Sequence, residues 1–181
     1  MDMAQLRAVL KSDYFALFGL KPNFDIDLSQ LKHTYRQLQK KFHPDNFVNR
    51  VKEEQLLALS VSAHINNAYS TLASPLERAL LMLKMHGLDL DLAQNTHLPE
   101  AFLYEQMEVH EEIEMAKQSQ DISRLEQIEA DLMKKEAQLI QHLEQEFKQN
   151  QLTQLIELIK QLAFYNRILN SLTNTINQSY A

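Results

Sequence analysis

Between positions 28 and 42 the apolar residues Leu28, Leu31, Tyr35, Leu38 and Phe42 recur at alternating intervals of three and four, which is one stripe of an α-helix. Asp27 stands where a helix cap belongs. Gln30, three residues on, completes a capping-box pattern that predicts the helix start. Pro44 predicts its stop, because the proline ring pushes the residue before it, His43, out of helical geometry. A second stripe, Leu57, Val61, Ile65, Ala68, Tyr69 and Leu72, predicts a returning helix packed antiparallel on the first as an αα-hairpin. His43-Pro44-Asp45 then lies on a stiffened loop at the hairpin tip.

Further along, Ser74-Pro75-Leu76-Glu77 repeats the capping-box pattern with proline at the first helical position, and Gly87 is a natural terminator. A short connector helix over about 75–86 follows. Residues 88–98 carry no sustained period and read as linker. Three more helical patterns, at about 99–118, 121–149 and 152–178, are separated by breaks short enough to require antiparallel neighbours, hence a three-helix bundle. The organisation expected is therefore 1–87, 88–98 and 99–181, all α-helical.

The first bundle helix has two apolar faces. Taking Phe102 as zero and advancing about 100° per residue, Val109, Ile113 and Ala116 fall within about 40° of it, whereas Leu103, Met107, Tyr104 and Met115 fall roughly 100° to 220° away. The second set is interleaved with Glu108, Glu111 and Glu114. In the last helix Leu155, Ile159, Leu162, Leu169 and Ile176 form the seam, and Phe164, about 200° from Leu162, is expected to look outward. Apolar residues on both sides of a helix need two things to pack against. One alternative for Leu103, Tyr104 and Met107 is cover by a neighbouring segment or by a second copy of the chain.

Charge sharpens the picture. Residues 28–42 carry +4 from Lys32, Arg36, Lys40 and Lys41 with no acid, and residues 99–118 carry −5 from six glutamates and Lys117. Four like charges on one short helix repel one another, so each charged face calls for a partner of opposite sign. The whole chain, 181 residues with net charge −6, lacks the broad basic surface that general nucleic-acid binding requires. No apolar run reaches membrane-spanning length. Two glycines and four prolines favour a helix-rich fold, and the absence of cysteine excludes disulfides and thiolate ligation. Met1 to Ser12 holds Asp2 and no signal-peptide core, from which a cytoplasmic, bacterial setting is expected.

From Asp13 to Leu83 the chain resembles the J-domain family. The segments that carry the likeness are Asp13-Tyr14-Phe15-Ala16-Leu17-Phe18-Gly19-Leu20, Tyr35-Arg36-Gln37-Leu38, Lys40-Lys41-Phe42-His43-Pro44-Asp45 and Ile65-Asn66-Asn67-Ala68-Tyr69-Ser70-Thr71-Leu72. After position 76 a leucine- and methionine-rich run replaces the usual tyrosine-aspartate ending. Ser74-Pro75-Leu76-Glu77-Arg78-Ala79, Leu83-Lys84-Met85-His86-Gly87-Leu88-Asp89-Leu90 and Phe102-Leu103-Tyr104-Glu105-Gln106-Met107-Glu108 extend the resemblance, over essentially the whole chain, to the HscB family of co-chaperones of iron–sulfur cluster assembly.

That resemblance implies an L-shaped, all-α molecule, a J-domain joined to a C-terminal three-helix bundle. It implies two partners, the DnaK-class chaperone HscA and the cluster scaffold IscU. It assigns His43, Pro44, Asp45, Lys32, Arg36, Lys40 and Lys41 to the chaperone, and Leu103, Tyr104, Met107, Glu108, Glu111 and Phe164 to the scaffold. Asn46 stands where many relatives carry lysine and is expected to tune affinity only. Met115 stands where an acid is expected, so that contact is not carried over.

No phosphate loop, nucleophile elbow or cysteine nucleophile is present, and no catalytic residue, cofactor or metal ligand is assigned. His64, His86, His97, His110 and His142 show no metal-ligand spacing. The reading is an adaptor rather than an enzyme. The runner-up is a general J-protein that delivers unfolded clients, and a third reading is an autonomous helical oligomerisation module.

Overall fold

The computed structural model describes residues 3–92, 98–149 and 152–180, and among them the secondary structure is eight α-helices and one 3₁₀ turn. The part of the expected linker at 93–97, with His97, lies outside the described residues. By internal contacts the chain divides into two compact units, Met1–His86 and Gly87–Ala181.

The first unit begins with α1 (Met3–Lys11), whose Leu6 is fully buried against α4 and whose Arg7 meets Glu53 at 3.2 Å. Sequence reasoning treats this stretch only as lacking a targeting core, so α1 is an addition. A single turn, α2 (Tyr14–Leu17), follows; Asp13 caps it by accepting from the Ala16 N–H at 2.9 Å, and Gly19 closes it in the left-handed region at φ +66°.

Helix α3 (Leu28–Phe42) starts where the cap predicts, with Asp27 accepting from the Ser29 and Gln30 N–H groups at 2.8 and 3.0 Å. Only the Asp27 half of the capping box forms: among the described residues the Gln30 side chain makes no return bond to the Asp27 N–H. Leu31 and Phe42 are buried and Tyr35 and Leu38 half-buried, but Leu28, at the first helical position, is exposed. That helix is α4 (Lys52–Ala73), buried along Ala58, Val61, Ile65, Ala68 and Leu72. Tyr35 stacks on Tyr69 with centroids 4.1 Å apart, and both Gln39 and the Tyr35 hydroxyl donate to Asn66 Oδ1. Falling numbers on α3 against rising numbers on α4 make the hairpin antiparallel.

Helix α5 (Pro75–Met85) opens on Ser74, whose Oγ accepts from the Glu77 N–H at 3.3 Å. Arg78, one turn in, is the buried surprise. At 5% exposure it donates from Nε to the Phe24 carbonyl at 2.7 Å and from Nη1 to the Leu72 carbonyl, and lies 5.0 Å from the Phe24 ring centroid. It thereby satisfies a carbonyl near the end of α4 and ties the loop before α3 to α5. Burial lowers the pKa of this guanidinium, against which Asp25 raises it.

The second unit is the expected bundle of α6 (Glu100–Gln118), α7 (Ile122–Gln149) and α8 (Leu152–Ser179). The pairs Glu105–Lys135 and Glu112–Arg124 make α6 and α7 antiparallel, and Glu126–Tyr180 and Glu129–Thr173 do the same for α7 and α8. The core holds Phe102, Ile113 and Ala116 of α6 with Leu125, Ile128, Leu132 and Leu143 of α7 and the predicted seam of α8.

Candidate functional site

In the first unit the chemistry gathers at the turn between α3 and α4. Pro44–Phe47 forms a 3₁₀ turn, with His43 extended at φ −58°, ψ 133°, as a residue before proline should be. Phe47 is buried and anchors the turn, which leaves His43 and Asp45 exposed on its outer side. His43 Nδ1 accepts from the Asp45 N–H at 3.3 Å and lies 3.4 Å from Asp45 Oδ2. The two contacts are alternatives, because Nδ1 accepts from the N–H only as a bare nitrogen and attracts the carboxylate only when it carries a proton. The second contact is an ion pair only when the imidazole is protonated.

Asn46 has a part that sequence reasoning missed. Its amide donates to the Lys40 carbonyl at 2.9 Å and the Lys41 carbonyl at 3.4 Å, capping the C-terminus of α3. The signal for it was local: an asparagine a few residues past a helix end, where carbonyls need donors. The assignment of Asn46 to affinity alone is therefore corrected.

Lys32, Arg36, Lys40 and Lys41 are all exposed, and none makes an ion pair among the described residues. Lys41 lies 5.2 Å from the Phe42 ring centroid, which holds its stem along the helix. The structure thus brings an uncompensated cationic face and the His43-Pro44-Asp45 turn onto one hairpin.

In the second unit the outer face of α6 exposes Leu103 (41%), Tyr104 (65%) and Met107 (59%), with Met115 further along. Its charge is less uniform than the sequence count suggests. Glu105 is taken by Lys135, whose pKa is raised first by that hydrogen bond; Glu112 is taken by Arg124 at 2.8 Å and Glu114 by Lys117 at 3.0 Å. Glu100, Glu108 and Glu111 make no ion pair among the described residues, so the available negative charge on this face is theirs, beside Tyr104 and Met107.

Phe164 needs correction. It does not simply look outward: it is half-buried and meets Phe102 edge-to-face, with centroids 5.6 Å apart. Its free side joins Leu103, Leu92, Leu98, Lys160 and Arg167 around a hollow of about 190 Å³. On the other flank of α6, Glu108 lines a groove against α7 of about 450 Å³. Tyr104, Met107 and Glu111 thus share the outer face of α6, with the hollow lined by Leu103 and Phe164 on one flank and the groove lined by Glu108 on the other. The wheel also places Gln106 on the core stripe, and the structure buries it against Tyr165, whose hydroxyl pKa is raised by burial.

Among the described residues no group of histidines and acids could hold a metal ion, and no helix is long and apolar enough to cross a membrane.

Residues 98–173 match the family model of the HSCB C-terminal oligomerisation domain. A co-chaperone protein HscB homolog of Neisseria meningitidis is 33% identical over 165 residues, covering 91% of this chain and 99% of that one. A homolog of the same description from Vibrio vulnificus is 37% identical over 161 residues, covering 88% and 94%. Among solved structures, chaperone HscB from Vibrio cholerae superposes with a TM-score of 0.83 at 31% identity, over 93% of this chain and 99% of that one. Human co-chaperone protein HscB does so with a TM-score of 0.84 at 28% identity, over 91% and 82%. A 33% identity that spans nearly the full length of both chains, on the same fold, is decisive: the chain belongs to the HscB family of co-chaperones.

Proposed function

We propose that this co-chaperone binds an iron–sulfur cluster scaffold of the IscU kind on the outer face of α6 and delivers it to an HscA-like, DnaK-class chaperone, whose ATPase it stimulates through α3 and His43-Pro44-Asp45. The observation that carries the reading is the coincidence, on one hairpin, of a cationic helix with no ion pair among the described residues and an exposed aspartate beside its own histidine. The cations attract an acidic surface from a distance and set the encounter rate. Asp45 then offers a carboxylate to a basic group of the ATPase domain, a charge-assisted bond that favours the hydrolysis-competent state.

On the second unit Leu103, Tyr104 and Met107 supply apolar anchors, and Glu108 and Glu111 select a partner with basic groups beside an apolar patch. A symmetric pairing of two copies through the centre of this face would set these glutamates against one another, which disfavours the chain itself as its occupant. The cluster is the scaffold's cargo, and this chain's task is to hold the protein that carries it.

The test is Asp45→Asn in single-turnover ATP hydrolysis by the chaperone with scaffold present. The exposed side chain buries little, so melting temperature is unchanged while stimulation is lost. Hydrolysis at the parent rate would remove Asp45 from the mechanism.

A further inference from the structure

The first unit exposes three large aliphatic side chains close to Asp45: Val48 at 65%, Leu56 at 56% and Leu59 at 58%. Leu56 and Leu59, one turn apart on α4, lie roughly 140° to 200° around the helix from core residue Val61, so the interior does not use them. Pro44, Asp45, Val48, Lys52, Leu56 and Leu59 together line a groove of about 320 Å³.

The groove is built rather than incidental. Gln55, which also lines it, donates from Nε2 to the Val48 and Arg50 carbonyls, both at 2.9 Å, and so clamps the α3–α4 connection against α4. Buried Phe47 holds the same segment from below. The neighbouring acids are already engaged, Glu53 by Arg7 at 3.2 Å and Glu54 by Arg50 at 3.9 Å. Asp45 and Lys52 are the charged residues that line the groove itself, one of each sign.

We infer that this groove is the apolar half of the chaperone-docking surface and seats an apolar segment of the ATPase-bearing partner. That segment would carry a basic residue for Asp45 and an acidic one for Lys52. The inference rests on the proposed engagement of His43-Pro44-Asp45 by the chaperone. It follows from continuity: Pro44 and Asp45 are walls of the groove, so a body that reaches the Asp45 carboxylate covers Leu56 and Leu59. Apolar contact supplies adhesion, while the α3 cations govern encounter and Asp45 the trigger. A chaperone that presents only the acidic and basic contacts would leave the groove wet and bind more weakly, which makes Leu56 and Leu59 determinants of partner choice.

The experiment uses the full chain with Leu56→Ser and Leu59→Ser together, and Leu56→Met with Leu59→Met as the conservative control. Stimulation of single-turnover ATP hydrolysis is titrated against purified HscA-like chaperone, with Asp45→Asn in parallel. The serine pair is expected to melt with the parent, to raise the half-maximal concentration about tenfold and to keep the same plateau; the methionine pair is expected to follow the parent. An unchanged titration curve, a lowered plateau at unchanged half-maximal concentration, or a large fall in melting temperature would each overturn the groove assignment. A change in the sedimentation of the serine pair alone would overturn it in favour of self-association, and lost binding of a denatured polypeptide at unchanged chaperone titration would assign the groove to clients. If the parent gives no stimulation, or Asp45→Asn keeps all of it, the underlying reading fails instead, and the groove assignment with it.

Discussion

Asn46 reaches back over the turn it belongs to and donates its side-chain amide to the Lys40 carbonyl at 2.9 Å, so the segment that follows His43-Pro44-Asp45 caps the helix that precedes it. The tripeptide is held between two fixed points, this cap and buried Phe47, and its geometry does not depend on the loop alone.

The cap makes a graded prediction. Removing a partially exposed hydrogen bond in Asn46→Ala costs about 1 kcal/mol. Asn46→Asp, which aims a carboxylate at the negative end of α3, costs more, and Asn46→Lys, which keeps a donor of favourable charge, costs less. Thermal melting of the three variants at one pH checks the order Lys, Ala, Asp of increasing damage.

Replacing Lys32, Arg36 and Lys40 by alanine should leave melting unchanged, since all three side chains are exposed and make no ion pair among the described residues. Chaperone association should slow, and its dependence on salt should flatten, because each lost cation is a lost screened attraction. Association rates from low to high salt decide the matter, and identical slopes for parent and variant would exclude charge-steered docking by α3.

On the bundle, Leu103 and Met107 separate from Phe164. Leu103→Ala with Met107→Ala should spare stability and weaken scaffold binding, because both side chains are largely exposed. Phe164→Ala should lower stability by about 1–3 kcal/mol as well, because it removes a half-buried ring packed edge-to-face on Phe102. Melting and scaffold titration on the same samples distinguish the two effects.

Glu136, on α7, has its pKa raised above the usual 4.5 by burial. A carboxyl raised in the folded state is penalised when charged, so its contribution becomes less favourable as pH climbs from about 4.5 through the raised value and stays so above it. Glu136→Gln should therefore stabilise the protein at pH 7 and lose that advantage below about pH 4.5. Melting temperatures of parent and variant across this range should converge on the acid side.

What the sequence determined by itself was whatever depends on local geometry. The period of 3.6 residues placed α3 to α8, Pro44 set His43 extended, Asp27 and Ser74 marked helix starts, and the wheel set Leu103, Tyr104 and Met107 away from Phe102, because side-chain direction on a helix follows from residue number alone. What only the tertiary structure decided is what lies across from each face. Arg78 reads as an ordinary polar position until the Phe24 carbonyl, 54 residues away, and the Leu72 carbonyl near the end of α4 accept its hydrogen bonds. Glu105 and Glu112 count as open charge until α7 brings Lys135 and Arg124 beside them, which leaves Glu100, Glu108 and Glu111 to define the face. Leu56 and Leu59 fall off the core stripe of α4 on the wheel, but that they line a groove is decided by the α3–α4 connection, which clamps beside them rather than over them. In each case the deciding contact joins groups on different elements of the fold, and no local period encodes which of them will meet.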